Sequence, residues 1–329
     1  MPKLPKQFKT IADRRLASDI EARMEIVEQR IQEATRHTEK TIDDMSSHLA
    51  RAGGKRLRPV LVLVTSHLGD PERDEVLDAA VVMEITHLAT LYHDDVMDQA
   101  ETRRGVDSAH TIWGNNIAIL VGDLLFARAS NIVSHLGEEA LKLQAEVFEQ
   151  LVLGQLHESL GPQGADPLEH YLDVVRDKTG SLIALSARLG ALLSGADASL
   201  QQPLQLFGER IGVAFQLADD LIDIRASEAE SGKIAGTDIL AGVPTLPSLL
   251  LAGYSDSESQ QLLADIQAAN ETTIASVLER LIAHPVMAKA EQITQDWAES
   301  AIEAIAELPN GSVKSALEAF ARAVVDRKG

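Results

Sequence analysis

Residues 81–98 read Val-Val-Met-Glu-Ile-Thr-His-Leu-Ala-Thr-Leu-Tyr-His-Asp-Asp-Val-Met-Asp. The apolar stretch from Val81 to Leu91 suits a buried helix, and it ends in carboxylates. On a helix, Asp94 and Asp98 stand one turn apart on one face. Carboxylates this close repel one another and tend to hold protons. A divalent cation removes that penalty. Oxygen-only donors favour magnesium, which takes one or two protein carboxylates and fills its shell with water and phosphate oxygens. A charge run taken alone is more often a solvated helix face. Position argues otherwise here, because aspartates at a helix C-terminus oppose the macrodipole and need compensation. The design recurs at 212–223, Gly-Val-Ala-Phe-Gln-Leu-Ala-Asp-Asp-Leu-Ile-Asp. Two such tips, aimed across one cavity that is acidic at its mouth and greasy within, suit several magnesium ions clamping a diphosphate.

Outward from these helices the pattern stays helical. Alternating β-branched or aromatic runs are scarce, and aromatic residues make up 3% of the 329. The charged, amphipathic segment 11–50 reads as surface helices. Gly53-Gly54 ends it, and a buried helix is expected to begin near Pro59. Another runs from Glu75 to Met97. Breaks fall at Gly114, Gly137, Gly161-Pro162, Gly195, Gly232 to Gly242 and Pro309-Asn310-Gly311. The expectation is one all-α domain over residues 1–329, with 1–50 as part of it, a bundle of ten or more helices around an elongated central cavity. No cysteine is present, so disulfides and thiolate metal sites are excluded. The first residues lack the apolar core of a signal peptide, and no run reads as long enough to span a bilayer.

Thirty basic and fifty acidic side chains give a net charge of −20. That balance argues against nucleic acid as a partner, which needs a basic footprint. An anionic substrate then requires local cations. Gly53-Gly54-Lys55-Arg56-Leu57-Arg58-Pro59 puts three in a glycine-led turn before a helix, where backbone N–H groups favour an anion. Arg103-Arg104-Gly105 follows the first acidic cluster, and guanidinium groups grip phosphate in bidentate fashion. Lys178-Thr179 and Gly232-Lys233 add two more. Singly, each reads as a solvated surface cation; jointly, their placement near the acidic clusters favours phosphate binding. His87 lies two turns before Asp94 on the same side. It reads equally as a hydrogen-bonded core histidine or as a phosphate contact.

The motifs Gly-Gly-Lys-Arg-Leu-Arg-Pro, His-Asp-Asp-Val-Met-Asp with Arg-Arg-Gly, and Phe-Gln-Leu-Ala-Asp-Asp-Leu-Ile-Asp occur in the order and spacing of the trans-isoprenyl diphosphate synthases, the polyprenyl synthetase family, which the chain resembles from Gly53 to Pro247. The resemblance implies the isoprenoid synthase fold and a transferase that extends an allylic diphosphate with isopentenyl diphosphate. It implies that Lys55, Arg58, His87 and Arg104 bind the diphosphate of isopentenyl diphosphate. Asp94 and Asp98, supported by Asp95, would hold magnesium, and Arg103 would contact the allylic diphosphate. Lys178, Thr179 and Gln216 would surround the reacting carbons and leaving group. Asp219 would hold a further magnesium, with Asp220 and Asp223 supporting, for three ions per site. Lys233 would meet the leaving diphosphate. A cytoplasmic homodimer with at most transient membrane contact is also implied.

Two positions depart from the family pattern: Val243 stands where many relatives carry lysine, and Asp107 replaces a frequent proline. In this family, bulky residues just before the first motif act as a floor for the growing chain. Ala89 and Thr90 occupy those positions and are small, so a product of twenty carbons or more is expected, of medium or long chain as for a quinone side chain. A geranylgeranyl diphosphate synthase is the alternative. A terpene cyclase fits less well, because Asp223 and Ser227 stand where its motif needs serine and glutamate. A non-catalytic synthase subunit fits less well because both acidic motifs are intact.

Overall fold

A computed structural model of the chain describes residues 13–225 and 235–326. These residues are almost wholly helical, as the sequence pattern requires, and they group into two compact units. The first takes in the described residues to Phe148, with Leu182–Gln205 and Glu307–Ala319. The second takes in Glu149–Ser181, Leu206–Ala306 and the residues from Phe320.

The first unit is built on α1 (Arg14–Thr35), α2 (Lys40–Ser46), α3 (His48–Arg51), α4 (Leu57–Ser66), α5 (Asp74–Met97), α6 (Ala109–Trp113) and α7 (Asn115–Val133). Helix α5 is packed by α1, α4 and α7. That explains why it is apolar on every side rather than striped: Val76, Ala80, Val82, Met83, Ile85 and Leu88 are all buried. Helix α1 is an ordinary amphipathic surface helix. Asp13 caps it by accepting from the N–H groups of Arg15 and Leu16, and Leu16, Ile20, Val27 and Ile31 form its buried stripe.

Helix α4 begins at Leu57, near Pro59 as expected, because Arg56 turns the chain in at a left-handed φ of 51°. Two expectations are corrected in this unit. The chain is not helical throughout: Thr102–Arg103 and Val106–Asp107 pair antiparallel, Thr102 opposite Asp107 and Arg103 opposite Val106. The two-residue turn between them, Arg104 at φ 55° and Gly105 at φ 80°, has the positive dihedrals of a type I′ hairpin. Finally, α7 is long and apolar enough to cross a membrane by length and composition alone. Asp123 and Arg128 interrupt its apolar run in the sequence, which hid that property. Here α7 packs along α5, and Arg128 donates to the Ala34 carbonyl at 3.1 Å.

The second unit carries the C-terminal part of α8 (Glu138–Leu160), α9 (Pro167–Val175) and most of α11 (Gln201–Arg225). Between α9 and α10 (Ser181–Leu193), residues Arg176–Gly180 form a π-helical turn. On α11, Val213, Leu217, Leu221 and Ile224 recur at helical spacing and bury against the helices Leu246–Leu251, Ser257–Gln267, Ile274–Ala283 and Val286–Ala304.

Candidate active site

Helix α5 delivers the first acidic motif and divides its carboxylates. Asp94 is half-buried and Asp98 is exposed at the helix end, its N–H donating to the Asp94 carbonyl at 2.8 Å. Asp95 points elsewhere and is fully buried. Arg103 Nε donates to Asp95 Oδ1 at 2.6 Å, which ties the helix end to the hairpin, while Asp95 Oδ2 is buried with no hydrogen-bond partner. So Arg103, expected on the allylic diphosphate, is engaged by the second carboxylate of the motif.

The cations of the first unit converge around His87. Arg58 is half-buried, and its Nε is a buried donor with no hydrogen-bond partner. Burial, with the Arg104 charge nearby, pushes Arg58 down to about 10, against the pull of Glu84 and Asp94. It remains charged at neutral pH. Burial and the charges of Arg58, Arg104, Arg103 and Arg56 hold His87 well below its usual pKa. The imidazole is therefore neutral in a strongly positive setting. Of the three cations in the glycine-led turn, Lys55 is exposed, while Arg56 is buried in ion pairs to Glu28 and Glu84. Arg104 donates to the Leu49 and Gly53 carbonyls and to Glu84. Tyr92, next to the motif, donates to the Met45 carbonyl at 2.6 Å and accepts from the Leu49 N–H at 3.3 Å. It fixes α2 and α3, from which the glycine-led turn departs.

The second unit carries the other motif in the same divided form. Asp219 is half-buried and Asp220 is buried. Asp220 Oδ2 accepts from the Tyr171 hydroxyl at 2.5 Å and from the Leu246 N–H at 2.9 Å, and Gln216 Nε2 reaches Asp220 Oδ1 at 3.4 Å. Burial pushes Asp220 up to about 6 in spite of these donors. Asp223 accepts from the Thr237 hydroxyl at 2.7 Å and from the N–H groups of Thr237 and Asp238, so it caps the short helix Thr237–Leu240.

Lys178 and Thr179 sit in the π-turn, a form concentrated at functional positions. Lys178 Nζ is paired with Glu158. The turn lies directly on α11: a Cβ at Gly212 would collide with Gly180 Cα and come 2.9 Å from Gly180 N. Gly212, Gln216 and Asp219 share that face of α11. A backbone-to-backbone contact thus sets Lys178 and Thr179 against the helix that bears the second motif.

The remaining expected residues separate. Ala89 is buried on α5, and α7 passes it closely, a Cβ at Gly122 coming 3.2 Å from the Ala89 carbonyl. Thr90 is half-buried, its hydroxyl donating to the His87 carbonyl at 2.8 Å. Val243 is exposed, and the Asp107 carbonyl meets His48 Nε2 at 2.8 Å. Lys233 and Ser227 lie outside the described residues. Sequence reasoning missed Glu84, Arg56 as an ion-pair residue, Tyr171 and Glu158. Glu84 had a readable signal, as the one charge in the apolar run 79–86.

The donor chemistry suits magnesium. Among the described residues no three His, Asp or Glu side chains form a ready-made cage. Two carboxylates one turn apart match an ion that draws its other ligands from water and phosphate.

Residues 39–284 match the family model described as polyprenyl synthetase. The chain is 41% identical to the nonaprenyl diphosphate synthase of Mycobacterium tuberculosis, over 97% of this chain and 96% of that one. It is similar to the geranylgeranyl pyrophosphate synthase of Corynebacterium glutamicum, solved with calcium and isoprenyl diphosphate. That match has a TM-score of 0.85 and 40% identity, and covers 95% of this chain and 98% of that one. The polyprenyl synthase of Caulobacter crescentus, solved with the same two ligands, matches with a TM-score of 0.86 and 31% identity, over 96% of this chain and 98% of that one.

Proposed function

Because the chain belongs to the polyprenyl synthetase family and is a trans-prenyltransferase, we propose that it condenses an allylic diphosphate with isopentenyl diphosphate, with magnesium assistance, to a polyprenyl diphosphate of twenty carbons or more. The observation that carries this reading is the Arg58–His87 cluster beside Asp94. A half-buried guanidinium whose buried Nε has no partner, next to a neutral imidazole, is a seat for an anion.

Lys55, Arg58, His87 and Arg104 hold the diphosphate of isopentenyl diphosphate and so fix its alkene in position. Asp94 and Asp98 of the first unit and Asp219 of the second would hold magnesium, with Asp95, Asp220 and Asp223 keeping those helix ends in place. When bound, the metal supplies positive charge to the oxygens of the leaving diphosphate. Arg103, Lys178 and Lys233 add cationic charge there. The allylic C–O bond breaks with its electron pair on the diphosphate, and Thr179 and Gln216 present dipoles to the carbocation. The alkene forms the new C–C bond, and the proton lost from the adjacent carbon goes to the departing diphosphate.

Product length is read from α5. Thr90, Thr86 and Val82 descend from Asp94 at helical spacing, and none is aromatic. One helical turn rises about 5.4 Å, close to one extended isoprene unit. A homodimer is supported by apolar side chains left exposed on single helices: Ile119 and Leu120 on α7, and Val152, Leu153, Leu156 and Leu160 on α8. Incubation with labelled isopentenyl diphosphate and allylic primers of several lengths, followed by dephosphorylation and chromatography, tests the activity. A main product of fifteen carbons overturns the length assignment, and no elongation overturns the reaction.

A further inference from the structure

Two arginines from different loops stand at left-handed dihedrals, Arg56 at φ 51° and Arg104 at φ 55°. Side chains other than glycine rarely hold that conformation unless their surroundings impose it. Here the surroundings converge on one atom. Arg56 Nη1 donates to Glu84 Oε1 at 2.6 Å, and Arg104 Nη2 reaches the same oxygen at 3.4 Å. Glu84 also draws on the charge of Arg58. Its side chain is 2% exposed, in the middle of the apolar helix α5.

The two arginines spend their other donors on the chain that leads into the cationic turn. Arg56 donates to the Ala50 and Gly53 carbonyls and Arg104 to those of Leu49 and Gly53. The Arg104 guanidinium lies flat against Gly54, where a Cβ would come 2.8 Å from Arg104 Cζ. Glu28 of α1 completes the network, accepting from Arg56 Nε at 2.9 Å and Nη2 at 3.0 Å. A carboxylate this deep costs folding energy unless it is fully paired. Its pairing joins α1, the turn at 49–58, α5 and the hairpin at 102–107.

We infer that Glu84 is a positioning residue for substrate. Its buried carboxylate gathers Arg56, Arg58 and Arg104 so that the last two, with His87 one turn further along α5, present a preformed seat to the diphosphate of isopentenyl diphosphate. This rests on the assignment of that diphosphate to Lys55, Arg58, His87 and Arg104. Glu84 touches no substrate, so its loss should act on one substrate and not the other. Without it, Arg104 and Arg58 repel each other with less to offset their charges, and the seat opens before the substrate arrives.

The test is steady-state kinetics with each substrate varied separately, on the wild-type enzyme and on Glu84→Gln, Glu84→Asp and Arg58→Gln, with circular dichroism and thermal melts to verify folding. Glu84→Gln is expected to raise the KM for isopentenyl diphosphate about 10-fold, with less than about a 2-fold change in the KM for the allylic diphosphate and in kcat. Glu84→Asp keeps the charge but withdraws it from the already long Arg104 contact, so its KM for isopentenyl diphosphate rises about 3-fold. Arg58→Gln raises the same KM more than either. If Arg58→Gln raises that KM and Glu84→Asp leaves it unchanged, the role of Glu84 is overturned while the substrate assignment stands, whether or not Glu84→Gln folds. A Glu84→Gln enzyme that loses kcat and both KM values together, with no recovery in Glu84→Asp, also overturns it. If Arg58→Gln leaves that KM unchanged, the substrate assignment itself fails.

Discussion

Gly212→Ala is the smallest change that separates the second motif from the residues it works with. The added methyl would lie 2.9 Å from Gly180 N and closer still to Gly180 Cα. Optimal carbon contacts are about 3.5–4.0 Å. Both neighbours are backbone, so no side chain can swing away, and the two segments must part by about 1 Å. Overpacking of this kind costs about 1–3 kcal/mol. The same shift moves Lys178 and Thr179 away from the face of α11 that bears Gln216 and Asp219. A displacement of about 1 Å near reacting groups can cost on the order of 10²-fold in rate, or about 2.7 kcal/mol of transition-state stabilisation. The assay is urea unfolding alongside kcat/KM for isopentenyl diphosphate. Gly311→Ala serves as the control, because a Cβ there meets nothing within 4 Å. A Gly212→Ala enzyme that matches the control in both stability and kcat/KM refutes the argument that this contact sets the site.

Asp94→Asn is expected to lower kcat by at least about 10³-fold with an unchanged circular dichroism spectrum, whereas Asp95→Asn, which still offers Arg103 an oxygen, loses less; single-turnover rates at saturating magnesium decide. His87 carries a pH signature. Its folded pKa lies below the unfolded value of about 6.5, so its contribution is complete above that value and is lost as pH falls below it, where the unfolded chain binds the extra proton. His87→Gln should flatten the fall in melting temperature from about pH 7.5 to about pH 5.5, while His67, lowered mainly by burial, retains its own part; parallel curves for the two proteins would count against it. Tyr171→Phe removes a hydrogen bond to a charged group and is expected to cost about 1.5–3 kcal/mol near pH 7.5. Asp220 is pushed up to about 6, so its fold favours the proton, and the charged form weighs against folding as pH rises from about 4 to 6. At about pH 5 the carboxyl is largely neutral and the Tyr171→Phe cost should shrink toward about 1 kcal/mol, measured by urea titration at both pH values.

The fold class and both acidic motifs were legible because periodicity and carboxylate spacing are local. The extent of α5 was readable within a residue, since its apolar run has clear ends at Asp74 and Asp98. The hairpin at 102–107 was not, because two-residue strands carry no period. The three cations of Lys55-Arg56-Leu57-Arg58 looked alike in sequence. What separates them is the carboxylate each can reach: Arg56 meets Glu28 and Glu84, each 28 positions away in sequence. Such pairings depend on tertiary packing and leave no local trace. Ala89 is a converse case. Small size is required at a packed helix crossing as well as in an open channel, and sequence cannot tell the two apart.

The shared Asp-Asp-x-x-Asp pattern has a helical reason. Positions one and five lie on one face, while position two is turned about 100° away from the first. In both motifs that second carboxylate is buried and bound to a segment outside its own helix: Asp95 to Arg103 of the hairpin, Asp220 to Tyr171 and the Leu246 N–H. A helix C-terminus already carries partial negative charge, so a cluster of three carboxylates there would fray it. Turning one inward to a fixed donor converts part of that repulsion into an anchor. The first carboxylate is then held at a rigid helix end, where a metal ion can recruit it without ordering a loop. The middle aspartates therefore belong to the scaffold of the site, as does Asp223 through Thr237 and Asp238, and on the proposed function Asp94, Asp98 and Asp219 are the carboxylates that would meet the metal.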